Sequence, residues 1–393
     1  MTVVQDPPPT TVATTTVTTS ERERALVERA AACGPVLAAH AADADRERRW
    51  AAASFDAVRA AGLLAIAVPE ELGGAGATVR EVAQVQRTLG RSCGSTALAT
   101  AMHQHVTAFT AWRYRRGLPG AEATLRRVAQ DGIVLMSTGG GDYTRPRGSA
   151  TRVEGGYRVS GRKSFVSQSP VGTAFSTMFP YDDPERGRRV LNMSIPATDP
   201  AITVIDTWDA LGMRATASND VEFDDVFVPD ERVLADRPYG IIDPPLQVIS
   251  VIGFSIIAAV YLGVAEGARD HAVAAVAARG DDATVQRRVG LMDHRLRVAA
   301  WALDGALAAI GDDAQPSMAL FADVMVAKRE VALAGQQVCD LALQLIGGAG
   351  YRAGSPAERA YRDIRAAQLH PLDPEATLLH AGRLALGLPC EQW

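Results

Sequence analysis

Three histidines stand in otherwise apolar surroundings: His103 and His105 on either side of Gln104, and His370 immediately before Pro371. An imidazole titrates near neutral pH and can take or give a proton without being consumed. By residue type alone, a histidine on an apolar helix is more often a hydrogen-bonded core residue. His370 before a proline reads equally as a loop cap. Phe165 and Ser167 end an alternating run and offer an aromatic face and a hydroxyl, and an aromatic there also reads as core. Ser137 and Thr138 precede three glycines, Gly139 to Gly141, and a second glycine-rich turn runs from Gln344 to Gly350. Glycines suit close backbone approach to a phosphate. The glycines at 348 and 350 end a helical pattern rather than follow a strand, which argues against a Rossmann site. There is no P-loop, no G-x-S-x-G elbow and no H-E-x-x-H. The four cysteines, Cys33, Cys93, Cys339 and Cys390, are far apart, so neither a disulfide framework nor a metal site is expected.

Those residues need elements to position them. The 393 residues suffice for two or three domains, and a formal net charge of −5 gives no electrostatic reason to seek nucleic acid. Residues 1–20, rich in Thr, Val and Pro, lack the basic start and apolar stretch of a signal peptide and read as a disordered tail of a cytoplasmic protein. Residues 21–132 read as an Ala-rich helical domain. Phe55, Val58, Leu63 and Leu64 share one face up to Gly62, and Val82, Val85 and Leu89 share another, stopped at Gly90. Residues 133–236 read as a compact antiparallel β domain. Tyr157 to Val166 and Leu191, Met193 and Ile195 alternate, and the strand signals end at Pro229. Residues 237–393 are helical again, with helices expected over 283–310 and through Phe321 to Leu345 up to Gly347-Gly348. The apolar run Val248 to Ala265 is near the lower length limit for a membrane span. Asp243, Pro244, Pro245 and Glu266 flank it, so a buried helix is favoured over a membrane segment. Helices, then strands, then helices define an α+β chain without regular βαβ alternation.

Six short runs occur in order across this pattern. They are Pro69 to Gly74, Ser95 to Leu98, Gly161 to Ser167, Leu211 to Arg214 before Asp220 to Phe223, Gln344 to Tyr351, and Tyr361 to Arg365. Together they resemble the acyl-CoA dehydrogenase superfamily over nearly the whole chain. The resemblance implies that superfamily's α+β fold: an N-terminal helical domain, a middle antiparallel β domain and a C-terminal helical bundle, in a homotetramer or dimer. It implies a flavin, FAD or FMN, between the β domain and the C-terminal helices. By motif position Phe165 and Ser167 would lie against the flavin ring, and Ser137 and Thr138 would meet its other edge. Gln344, Gly347 and Gly348 would reach the cofactor from a neighbouring subunit.

Two departures bear on the activity. The family's catalytic glutamate falls, by spacing from Arg362-Asp363, at Pro371, and its alternative position near Gly253 holds no carboxylate. The run that grips the FAD diphosphate is replaced by Arg279-Gly280-Asp281-Asp282-Ala283. Both departures resemble the two-component flavin monooxygenases of this fold, such as dibenzothiophene monooxygenase, which take reduced flavin from a partner reductase and use O2. That branch implies His103 and His370 as the catalytic pair and Ser167 as a flavin support. The pocket walls expected from the N-terminal helices and the run Ile249 to Tyr261 are apolar, which suits a small hydrophobic or aromatic substrate, or an acyl chain. Two other readings stay open: an acyl thioester dehydrogenase using His370, Asp373 or Glu375 as base, and a non-catalytic flavin-binding or scaffold protein.

Overall fold

The computed structural model describes residues 20–138 and 140–392. The tail expected over residues 1–20 therefore lies outside the described residues except for Ser20. That residue belongs to the fold: its hydroxyl accepts from the Glu23 N–H and caps helix α1 (Glu21–Arg46). Four more helices complete the first region: α2 (Ala52–Ala60), α3 (Val79–Ser92), α4 (Gly94–Tyr114) and α5 (Ala121–Gln130). Helix α3 opens with a reciprocal capping box between Thr78 and Glu81.

The strands follow as β1 (Leu135–Ser137), β2 (Ser149–Val153), β3 (Gly156–Val166), β4 (Ala174–Asp183), β5 (Gly187–Pro196), β6 (Ile202–Ile205), β7 (Asn219–Pro229) and β8 (Val233–Pro238). They form one eight-stranded sheet in the order β6-β7-β3-β2-β4-β5-β8, with β1 added beside β4. Most pairs are antiparallel, as expected, but β1 and β2 each run parallel to β4. Strand β8 was not foreseen, because its sequence mixes charged and apolar residues without clean alternation. It is formed by pairing along β5.

The last region holds α6 (Pro244–Val276), α7 (Ala283–Ile310), α8 (Met318–Ile346), α9 (Pro356–Asp363) and α10 (Pro374–Ala385). The long helix through α6 is apolar enough to cross a membrane by length and composition, yet 94% of that window is buried inside the chain. It is the central core helix of the molecule.

Helix α3 crosses α6 at backbone contact, and glycines make this possible. A Cβ at Gly263 would sit 2.0 Å from the Arg87 carbonyl, one at Gly267 2.3 Å from that of Arg91, and one at Gly90 2.6 Å from that of Val260. Gly90 is thus a packing residue inside α3 and not the stop expected from its type. The crossing is flanked by a forked ion pair between Arg87 and Glu266, with Nε 3.1 Å from both carboxylate oxygens.

Candidate active site

The sheet, α4, α6 and the segment after α9 enclose a cavity of about 440 Å³. Helix α4 contributes Met102, His105 and Val106, and α6 contributes Leu246, Ile249, Gly253 and Phe254. The sheet side is more polar, with Ser137, Ser167, Ser176, Asn192 and Ser218. Arg362, Arg365, His370 and Pro371 close the remaining side. Among the described lining residues there is no Asp or Glu. Both arginines have their charges answered outside the cavity, Arg362 by Asp45 and Glu358 and Arg365 by Asp340.

The structure brings Ser137, Phe165, Ser167 and His370 to this one cavity and leaves the other expected site residues out of its wall. Phe165 ends β3 in the left-handed backbone region at φ 63°. Its ring is 58% exposed and meets Trp208 edge-on with centroids 6.0 Å apart. A bulky residue at positive φ carrying an exposed ring is strained, which points to function at this position. The Ser167 hydroxyl pairs with that of Ser218 at 2.8 Å, and Ser218 with Thr216 at 2.7 Å. Thr138 is buried away from the cavity, its hydroxyl 2.7 Å from that of Thr177. Gln344, Gly347 and Gly348 are exposed at the end of α8, where Arg279 donates to the Leu345 carbonyl at 2.8 Å.

The histidines are sorted differently from the sequence reading. His103 is fully buried and does not line the cavity. Its Nδ1 accepts from the Leu135 N–H at 3.0 Å, so its Nε2–H donates to the Leu64 carbonyl at 2.9 Å. Both ring nitrogens are occupied by backbone. Burial pushes its pKa from 6.5 down to about 4. His103 is thus a neutral tie between α4, the segment after α2 and the start of β1.

His105 takes its place in the wall. Its Nδ1–H donates to the Ala101 carbonyl at 3.1 Å, which leaves Nε2 as a bare acceptor. Burial lowers its pKa to about 4 as well. The only sequence signal for His105 was its proximity to His103. His370 is held from behind, with Nε2 2.8 Å from the buried Tyr261 hydroxyl. Burial, then the positive Lys328, lowers its pKa to about 3. Lys328 donates to the carbonyls of His370 at 2.8 Å and Leu372 at 2.7 Å and so pins the turn. The two cavity histidines are neutral at physiological pH.

A flat ring system fits the sheet end of this cavity. The outward Phe165 ring supplies an apolar face, and Ser137, Ser167 and Ser218 in the same wall offer hydroxyls of the kind a polar edge needs. Asp373 and Glu375 do not line the cavity. Asp373 caps α10, accepting from the N–H groups of Glu375 at 2.9 Å and Ala376 at 2.8 Å. Among the described residues no cluster of three or more His, Cys, Asp or Glu could hold a metal ion.

Two family descriptions match the chain: "Acyl-CoA dehydrogenase, N-terminal domain" over residues 20–114 and "Acyl-CoA dehydrogenase, C-terminal domain" over residues 255–370. The chain belongs to the acyl-CoA dehydrogenase family. Among its relatives is the amino sugar nitrososynthase DnmZ of Streptomyces peucetius, 32% identical over 90% of this chain and 91% of the relative. A solved structure of KijD3 in complex with FMN and an amino-keto dTDP sugar superposes with a TM-score of 0.87 at 29% identity, over 95% of this chain and 96% of that one. The FMN-bound TdsC of Paenibacillus sp. A11-2 shares the fold, with a TM-score of 0.83 at 20% identity over 94% and 99% of the two chains. The expected superfamily and fold class are borne out, and the family's neighbours are flavin-dependent enzymes.

Proposed function

We propose that this protein is a flavin-dependent monooxygenase that receives reduced FMN or FAD from a separate reductase and oxidises a small molecule bound in the cavity. One observation carries the reading: the described wall holds two neutral histidines and no carboxylate. Forming an α,β double bond in an acyl thioester requires a base for the α-proton; Asp373 and Glu375 stand outside the wall, so of the groups considered for that work only the His370 imidazole reaches the cavity, and the carboxylate that usually does it has no counterpart there. Reduced flavin supplies two electrons, with which one atom of O2 enters the substrate and the other leaves as water.

The chain's own residues then have defined work. Phe165 stacks on the ring, and Ser137 and Ser167 orient its polar edge. His370, oriented by Tyr261 and Lys328, and His105, with its bare Nε2, hold or move protons in a pocket whose apolar side excludes water. His105 replaces His103 as partner to His370. Gln344, Gly347 and Gly348 act, in this reading, by reaching the flavin of another copy in a dimer or tetramer. The likeness to an amino sugar nitrososynthase supports oxygen transfer, and it puts amine nitrogens among the first acceptors to assay.

The test is flavin content and redox preference. The expected result is little oxidised flavin as purified, tight binding of reduced FMN or FAD, and uptake of one labelled oxygen atom from O2 into product. One tightly held FAD per subunit, bleached anaerobically by an acyl thioester, would make the protein a dehydrogenase. Failure to bind either redox form would leave a scaffold.

A further inference from the structure

The cavity has two unlike walls, and one polar group on the sheet side has a fixed orientation. Asn192 on β5 lines the cavity opposite Met178 of β4. Behind it, on the neighbouring strand β8, lies Arg237, only 3% exposed. The Arg237 Nε–H donates to Asn192 Oδ1 at 3.0 Å. Its Nη2 donates to the Tyr143 carbonyl at 2.9 Å and reaches the Met178 sulfur at 3.0 Å. Its Nη1 is buried and has no partner among the described residues. No described carboxylate forms an ion pair with it.

A guanidinium stays protonated, so its Nε can only donate, and the amide oxygen of Asn192 must be the atom facing it. The amide nitrogen is thereby turned away from Arg237, and no described residue accepts its hydrogens. The open space on that side is the cavity. Asp243 lies within electrostatic reach of Arg237 but makes no ion pair with it, so the buried cation is only partly compensated, and its cost falls when a ligand brings negative charge or a strong dipole close by. The facing wall of α6 is apolar at Leu246, Ile249 and Phe254.

We propose that Asn192 forms a subsite for a carbonyl or carboxylate oxygen of the substrate, with Arg237 as the residue that positions it. The substrate is then an apolar, ring-sized molecule carrying one such oxygen. Its body lies on α6, and its oxygen accepts from Asn192 Nδ2. A plain hydrocarbon leaves that donor unpaired. The flavin ring also has carbonyl oxygens. Its expected seat at Phe165, however, is on β3, separated from β5 by β2 and β4. That separation in the sheet order favours the substrate. The inference rests on the reading that substrate occupies this cavity, but its test needs neither flavin nor turnover.

Calorimetric titration of flavin-free protein with naphthoate, naphthaldehyde and methylnaphthalene, substituted at the same ring position, separates the cases. The two oxygen-bearing probes should bind about tenfold more tightly than the hydrocarbon, the scale of one good hydrogen bond. N192L should remove that preference and keep the hydrocarbon affinity, and N192S is the alternative if N192L does not fold. R237Q should lower naphthoate binding while leaving methylnaphthalene unchanged, a selectivity that a merely structural role would not produce. Equal affinity for all three probes, no binding by any, or a preference retained in the Asn192 variants would overturn the proposal. So would a loss of reduced FMN affinity in those variants with the naphthoate preference intact, because the subsite would then be the flavin's. The labelled-oxygen experiment fails or succeeds independently of these titrations.

Discussion

Replacing His103 with Leu distinguishes a structural histidine from a catalytic one. The substitution leaves the buried Leu135 N–H without an acceptor and removes a donor from the Leu64 carbonyl. An orphaned buried donor costs about 1–3 kcal/mol, and Leu64 keeps a longer bond from Gln104 at 3.3 Å. Together these give an expected loss of about 2–4 kcal/mol at neutral pH. The loss has a pH signature. Burial holds the native pKa of His103 near 4 against the ordinary histidine value of 6.5, so on acidification the unfolded chain takes the proton first. The contribution of His103 is complete above 6.5 and is lost as pH falls toward 4. At about pH 5.5 the wild type should have lost on the order of 1 kcal/mol through this residue alone, and the variant nothing. The stability gap between the two proteins must therefore narrow on acidification. Urea titrations of both proteins at a series of pH values measure it, alongside turnover per folded molecule. A gap that stays constant or widens toward low pH refutes the assignment. So does a variant of unchanged stability whose turnover has collapsed.

Two further outcomes follow from the same geometry. His370→Ala should lower turnover by at least about tenfold while reduced-flavin affinity stays at the wild-type value, because the proposed function gives His370 the proton handling and Phe165 the ring's seat. Steady-state rates and fluorescence titration of flavin check this, and unchanged turnover with an authentic substrate would sink it. Gly263→Ala forces α3 and α6 apart, since the new Cβ would lie 2.0 Å from the Arg87 carbonyl. A destabilisation of about 3 kcal/mol is expected, and a melting temperature equal to wild type would show that the two backbones do not meet so closely.

The helices were legible wherever an apolar stripe ran uninterrupted, as in α7 and α8, because burial on one face leaves a period of 3.6 in the sequence. Gly90 misled because glycine has two uses on helices. It ends them, and it lets another backbone approach, and only the partner helix tells which applies. The exchange of His103 for His105 has a similar origin. Two residues apart on a helix is a turn of about 200°, so one of the pair faces the cavity and the other faces away. The sequence contains that opposition but not its absolute direction. Adjacent residues Ser137 and Thr138 likewise point to opposite sides at a strand end, and only one reaches the cavity. Asn192 and Arg237 were missed together. Their pairing exists only across β5 and β8, and β8 has no pattern of its own to reveal it.

Gly253 on α6 and His105 on α4 share one volume in the cavity wall. A Cβ built at Gly253 would lie 3.4 Å from Cδ2 of His105, so the imidazole edge already rests against this turn of α6. Any longer side chain at 253 would compete for the volume that the ring fills. Glycine there leaves room for α4 to present the His105 imidazole to the cavity. Helix α6 packs against α3, α8 and α4 alike, and its closest backbone approach is the glycine crossing with α3. The neutral His105 imidazole carries no permanent charge, but unlike a carboxylate it can both donate and accept a hydrogen bond.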